Sequence, residues 1–227
     1  MSALDDLLAT IFDSQTHMLY PEFADWARDS RRFQDFAHTY RAKIRAKLRN
    51  ARDESGMQDL RAELATAALL LREKQFTLEY EKYVAARQRG PDFTVTFRGH
   101  TPFNVEVRRL YGLESTGSDI KMMSVLCNKV GQMPPSIVNL LWLVADRPVT
   151  GDELTEAVTT LRQLAERKEE TFFVRGGFES AADFLRRYPR LSGIVVSQLT
   201  PLVVWLNPAA RHKTPSKIAA AVQRLGQ

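Results

Sequence analysis

The sequence predicts an α/β protein built on a mixed sheet. Three observations carry that prediction. Residues 91–110, "PDFTVTFRGHTPFNVEVRRL", contain two runs of alternating apolar residues around a short break. Residues 136–146, "SIVNLLWLVAD", are almost continuously apolar over the length of one strand, the pattern of a central strand covered on both faces. Around these lie segments whose apolar residues recur at three- and four-residue steps, the spacing of a helix with one buried face. The summed order is a helical N-terminus, then α-β-β-β-α-β-α-α-β-β-α.

Residues 1–55 read as helical, with Phe33, Phe36, Ala37, Tyr40, Ile44, Leu48 and Ala51 on one stripe and the basic residues of "RAKIRAKLRNAR" on the other faces. "DESG" at 53–56 breaks the pattern, so residues 1–55 are expected as an N-terminal helical extension and 56–227 as the main domain. A helix over 57–74 places Leu60, Leu64, Ala67, Ala68 and Leu71 on one face. "FTLEYEKYV" (76–84) alternates and reads as a strand, and "AARQRGP" as a turn or loop. "DFTVTF" and "FNVEVRRL" form a hairpin, with Gly and Pro of "RGHTP" at the reversal. "DIKMMSVLCNKVGQM" reads as a helix that ends before "PP". The central strand follows, then a charged helix over 151–168 capped by Thr150 or Asp152. "AADFLRRYPRL" reads as a short helix, and "SGIVVSQ" and "PLVVWLN" as short strands. "PSKIAAAVQRL" closes the chain as a helix with Pro215 near its start.

Composition narrows the function classes. The chain has 227 residues, 44% hydrophobic and 26% charged, as in ordinary globular proteins. Its longest apolar runs, "LATAALLL" and "IVNLLWLVA", are about half a membrane span, so no membrane partner is expected. Met1 to Asp6 lead into an acidic amphipathic segment rather than a secretory signal. A single cysteine, Cys127, excludes an internal disulfide and is too few for a thiolate metal site, which makes a reducing, cytoplasmic setting the default. The net charge is +5, but residues 28–52 alone carry +7, and the last nineteen residues hold Arg211, Lys213, Lys217 and Arg224 with no acid. Such patches fit a polyanion partner, or else are solvated helix faces.

The hairpin carries the chemistry. If the reversal centres on Gly99, paired positions sum to 198 and Asp92 falls opposite Glu106, with Cβ atoms about 4.5–5.5 Å apart. Alternation puts Phe93, Val95, Phe97, Phe103, Val105 and Val107 on the core face. Asp92, Thr94, Thr96, Asn104, Glu106 and Arg108 face away. Opposed carboxylates repel, so either a cation or neighbouring basic groups must neutralise them. Hard divalent ions such as Mg²⁺ suit one or two carboxylates with water and phosphate. Glu63, on the preceding helix, reaches toward the sheet's end or is an ordinary surface acid. Lys129 and Gln132, three residues apart, share a helix face that leads straight into the buried strand.

These residues, in the order Glu63, "PDF", "EVR", a helix with Lys129 and Gln132, "PP" and an apolar strand, resemble the PD-(D/E)xK superfamily of restriction-endonuclease-like phosphodiesterases. The likeness spans about residues 57–147 and extends more weakly to "LNPAARHKTP". It implies a restriction-endonuclease-like mixed central sheet flanked by helices. It implies a nuclease that hydrolyses phosphodiester bonds in DNA with Mg²⁺ or Mn²⁺. Asp92 and Glu106 would be metal ligands with the Val107 backbone carbonyl, Glu63 would act through water, and Lys129 and Gln132 would touch the substrate backbone or attacking water. Arg108 stands where the family has lysine. Arginine stays protonated, so it can orient or stabilise but cannot take a proton, and Lys129 would have to reach in instead. The alternative is an inactive nucleic-acid-binding or assembly protein that kept the fold. DNA is expected over RNA as partner, with the basic segments 28–52 and 209–227 as phosphate contacts and a homodimer allowed.

The remaining candidates read as structural. His17, His38, His100 and His212 lack ligand spacing and read as surface residues. Cys127, Trp142 and Trp205 read as packing. "FFVRGGF" (172–178) reads as a turn, not a phosphate loop. Glu79 and Glu81 read as strand-surface charges, with Glu81 an additional acid near the site.

Overall fold

The structure, a computed structural model, describes residues 2–83, 90–113, 118–197 and 202–227. Most of the expected turn at 85–91 lies outside the described residues, as do Val84, Gln198 and Pro201 at the ends of expected strands.

Six strands form one mixed sheet in sequential order: β1 (Phe76–Tyr80), β2 (Phe93–Phe97), β3 (Thr101–Leu110), β4 (Asn139–Ala145), β5 (Gly193–Ser197) and β6 (Val203–Leu206). β1, β2 and β3 pair antiparallel, β3–β4 and β4–β5 pair parallel, and β6 returns antiparallel to β5. The hairpin register is the expected one, with Phe93 opposite Val105 and Thr94 opposite Asn104. Arg98 and Gly99 take positive φ at the reversal, 52° and 77°.

Helices cover both faces. α1 (Ala3–Ile11), α2 (Tyr20–Asp29), α3 (Arg31–Thr39), α4 (Arg41–Asn50), α5 (Glu54–Leu70) and the C-terminal α10 (Ser216–Arg224) pack on one face. There they meet Phe76, Phe93, Val95, Phe103, Val105, Leu140, Trp142 and Val195. α6 (Ser118–Val130), α7 (Gly151–Glu166), α8 (Glu170–Arg175) and α9 (Ala181–Arg187) pack on the other, against Leu141, Leu143, Ile194 and Val196. Successive residues of β4 thus enter opposite cores, which explains its unbroken apolar sequence. Trp142 is wholly buried and donates its indole N–H to Ser197 Oγ at 2.9 Å. Among the described residues no helix is long and apolar enough to cross a membrane.

The N-terminal helices belong to the sheet's own core. The Phe36 ring lies 5.8 Å from Tyr80 and 6.3 Å from Phe93. Arg32 donates to the carbonyls of Leu71, Glu73 and Phe76, tying α3 to the end of α5 and the start of β1.

Three local expectations need correction. The stripe read from Phe33 to Ala51 is two helices, because Tyr40 leaves helical geometry (φ −105°, ψ 16°) while its ring packs on Phe36 and Tyr80. The strand read over 76–84 stops at Tyr80, because Glu81 turns into a left-handed conformation (φ 48°). "FFVRGGF" is not only a turn: its first half belongs to α8, a helix too short to show periodicity, anchored by the buried Phe173.

Candidate active site

The site lies where the sheet's polar end meets α4, α5 and α6. Beyond β2's edge the face of β1–β3 opposite the aromatic core carries Thr94, Asn104 and Glu106. Thr94 Oγ1 donates to Asn104 Oδ1, and Asn104 Nδ2 donates to Asn139 Oδ1 at 3.0 Å and to the Tyr83 hydroxyl at 3.3 Å, so the inner part of this face is a polar network whose members satisfy one another. Only further along β3 does an acid stand ready for chemistry.

Glu106 is half-buried, and its Oε1 is 2.5 Å from the ammonium of Lys129, a lysine buried on α6. Lys129 also donates to Gln132 Oε1 at 3.3 Å. The helical face expected for the pair is not what joins them: α6 ends at Val130, and Gln132 lies in the turn that follows, its N–H donating to the Lys129 carbonyl at 3.1 Å. Asp92 sits one residue before β2 begins. Its Oδ2 accepts the Val107 N–H at 2.7 Å, so Asp92 leans onto the β3 backbone rather than standing upright on the polar face. Val107, expected to contribute its carbonyl, meets Asp92 through its amide.

Asp92 is held well above the ordinary aspartate range. Burial is the largest cause, followed by the charges of Glu106 and then Glu63; the Val107 N–H and Lys47 oppose them without winning. The charges of Glu106 on β3 and Glu63 on α5 thus add to burial in disfavouring ionised Asp92, a repulsion that nearby positive charge offsets only in part.

Lysines from the N-terminal helices supply part of that charge. Lys47 on α4 lies 2.6 Å from Glu63 Oε2 and 2.7 Å from Glu81 Oε1, above the Tyr80 ring at 4.8 Å. Tyr80 donates its hydroxyl to the same Glu63 oxygen at 2.6 Å. Burial would lower the Lys47 ammonium, but Glu63 and then Glu81 outweigh it and hold it above the usual lysine value. Burial would likewise raise Glu81; the hydrogen bond from Lys47 reverses this and leaves its carboxyl below the ordinary glutamate value. Lys43 adds a third contact, 3.3 Å from Glu81 Oε2. The left-handed backbone at Glu81 costs a non-glycine residue about 1–3 kcal/mol. It aims the carboxylate at both lysines, and the Glu81 N–H donates to the Asp92 carbonyl at 2.7 Å.

The structure thus brings together Glu63, Asp92, Glu106, Lys129 and Gln132. Arg108 stands apart, exposed, with its nearest acid Asp59 at 4.0 Å. The buried amine beside Glu106 comes from Lys129 on α6, not from the strand position. Sequence reasoning did not single out Lys43, Lys47 or Tyr80. The lysines stood in the basic run, which looked like a surface for phosphates. In fact Lys43, Arg45, Lys47 and Arg49 pair with Glu81, Asp13, Glu63 and Asp13 within the chain. The C-terminal Arg224 pairs with Glu73. Cys127 is buried in the α6 core, and burial pushes its thiol up to about 12. His100 is exposed at the hairpin tip, its Nδ1 2.8 Å from the Arg98 carbonyl.

The fold and site define an α/β protein with a mixed six-stranded sheet and an acid–lysine cluster at one end of it. Comparison with family models, with curated proteins and with solved structures returns no match.

Proposed function

We propose that this chain is a divalent-metal-dependent nuclease of restriction-endonuclease-like architecture, acting on DNA. The observation that carries the reading is the acid cluster itself: Asp92, half-buried with its Oδ2 on the Val107 N–H at 2.7 Å, and Glu106, on the same strand as Val107, with the buried Lys129 ammonium 2.5 Å from its Oε1. The donor chemistry fits Mg²⁺ or Mn²⁺. Asp92 and Glu106 offer hard oxygens. Among the described residues no three His, Cys, Asp or Glu side chains converge as a ready ligand set.

Asp92 and Glu106 would hold the cation, which would supply Lewis-acid polarisation of the phosphate and a water of lowered pKa. The chain's residues do the rest. Lys129 places a fixed positive charge beside Glu106, where negative charge builds on a phosphodiester under attack. Gln132, held by Lys129, offers an amide for orienting water or a phosphate oxygen. Glu63 is fixed by Tyr80 and Lys47, so it acts by orientation.

The test is cleavage of labelled single- and double-stranded DNA and of RNA with Mg²⁺, Mn²⁺ or EDTA. Cutting that needs metal, vanishes in Asp92→Asn and Lys129→Met, and survives in Arg108→Lys supports the reading. No cutting by wild type and no binding of Mn²⁺ removes it.

A second reading is a non-catalytic nucleic-acid-binding protein that keeps this architecture. Lys47 favours it, because its ammonium already balances Glu63 and Glu81 without a metal. Cutting gained only in Arg108→Lys would select that reading.

A further inference from the structure

We infer that the groove between α6 and the α8 turn is a binding subsite for a backbone phosphate of a nucleic-acid strand, with Arg175 and Arg108 as its contacts. The inference rests on the nucleic-acid reading above but not on catalysis. The groove encloses about 430 Å³ and is lined by Arg108, Asn128, Lys129, Gln132, Arg175 and the two glycines after it. It therefore shares Lys129 and Gln132 with the acid cluster and continues outward from it.

Its chemistry is that of a phosphate site. Two guanidiniums face one concavity from different elements, Arg108 from β3 and Arg175 from the last turn of α8. Among the described residues no carboxylate forms an ion pair with Arg175, and Arg108 reaches Asp59 only at 4.0 Å. Among the described residues no acid lines the groove. Most other arginines near the site are engaged: Arg109 with Asp59, Arg45 and Arg49 with Asp13. Guanidinium forks match phosphate oxygens in geometry as well as charge. Asn128 adds a neutral amide at the rim.

The backbone is built to put Arg175 there. At Gly176 an added Cβ would come within 2.6 Å of Cys127 Sγ, so α8 ends in direct contact with α6 only because that residue has no side chain. Gly177 then takes φ 84°, which turns the chain away and leaves Arg175 at the mouth. This assigns Arg108 a role its sequence position disguised. It binds a backbone phosphate in the groove and takes no part in proton transfer.

The experiment measures fluorescence anisotropy of a labelled DNA duplex and a single strand in EDTA, across a KCl series. The proteins are wild type, Arg175→Ala, Arg108→Ala and, as control, Arg162→Ala, an arginine on α7 paired with Glu166 at 3.4 Å. Each groove variant is expected to weaken binding and reduce the slope of log K against log salt by about 0.9 on duplex or about 0.7 on single strand, one phosphate contact. Arg162→Ala is expected to leave the slope unchanged. Equal slopes for wild type and both groove variants, an equal loss in Arg162→Ala, or no binding by wild type would overturn the inference. Wild type that binds through Arg175 yet cuts nothing keeps the groove and discards the nuclease. Metal-dependent cutting with affinity untouched in Arg175→Ala keeps the nuclease and discards the groove.

Discussion

Lys47→Met isolates the charge that α4 delivers to the acid cluster. Methionine keeps an unbranched apolar stem over the Tyr80 ring and removes only the ammonium. Lys47 makes two ion pairs, at 2.6 and 2.7 Å, and the side chains of Lys47, Glu63 and Glu81 are 27%, 17% and 19% exposed. Removing one partner of a fully buried pair costs about 3–5 kcal/mol, whereas an exposed pair contributes about 0.2–1 kcal/mol. This cluster lies between those limits and nearer the first, which gives a loss of about 2–3 kcal/mol at neutral pH. For a chain of this size that lowers Tm by about 4–10 °C.

The pH dependence separates a charge effect from a packing effect. Glu81 has its folded-state pKa lowered by Lys47, so its contribution is present above the ordinary glutamate value of 4.5 and is lost as pH falls through the lower folded value. Without Lys47, only Lys43 is left to oppose the burial that raises Glu81. The variant therefore loses most stability near pH 7, and the gap to wild type narrows as pH falls below the ordinary glutamate value. Urea denaturation at pH 7 and pH 4 measures this. The same deficit at both pH values, or a deficit under about 0.5 kcal/mol at pH 7, the range of an ordinary surface substitution, would refute the electrostatic reasoning.

Three further predictions follow from the same geometry. Asp92→Asn keeps an acceptor for the Val107 N–H but removes the charge. Because the folded-state pKa of Asp92 is raised, stability is lost as pH climbs from the ordinary aspartate value through the folded one, so the variant is expected to be more stable than wild type at pH 8, with the gain fading toward pH 4. Denaturation curves at both pH values check it. Ser197→Ala leaves the Trp142 indole N–H unpaired in the core and is expected to cost about 1–3 kcal/mol, read from the denaturant midpoint. Phe33→Ala removes a fully buried ring packed edge-on against Phe23 and Trp26, at about 3–5 kcal/mol. Since α3 shares the sheet's core, calorimetry should show the whole chain shifting in one transition.

The hairpin was legible because both of its determinants are local. Alternation over "DFTVTF" and "FNVEVRRL" fixes the faces, and Gly99 with its φ of 77° fixes the reversal, so Phe93 falls opposite Val105. β4 was legible for a similar reason: burial on both faces leaves no polar position in its interior. The break at Tyr40 was not legible, since its cause is a ring contact with Tyr80 on another element. The end of β1 was hidden likewise. Glu81 turns left-handed for lysines 34 and 38 positions earlier, on α4.

The site divides along the same line. The sequence placed Asp92 and Glu106 near each other, because strand register operates over a few residues, and it put Gln132 beside Lys129, though through the turn after α6 rather than on one helical face. It could not say which amine meets which acid. Lys129 reaches Glu106 across 23 positions and Lys47 reaches Glu63 across 16, and both depend on how α6 and α4 pack onto opposite faces of the sheet. The basic run looked like a surface for phosphates until the fold paired much of it internally. Arg175 drew no notice until α8 closed against α6. Periodicity decided the elements and their inward faces, whereas only the packing of helices on the sheet decided where each charge found its partner.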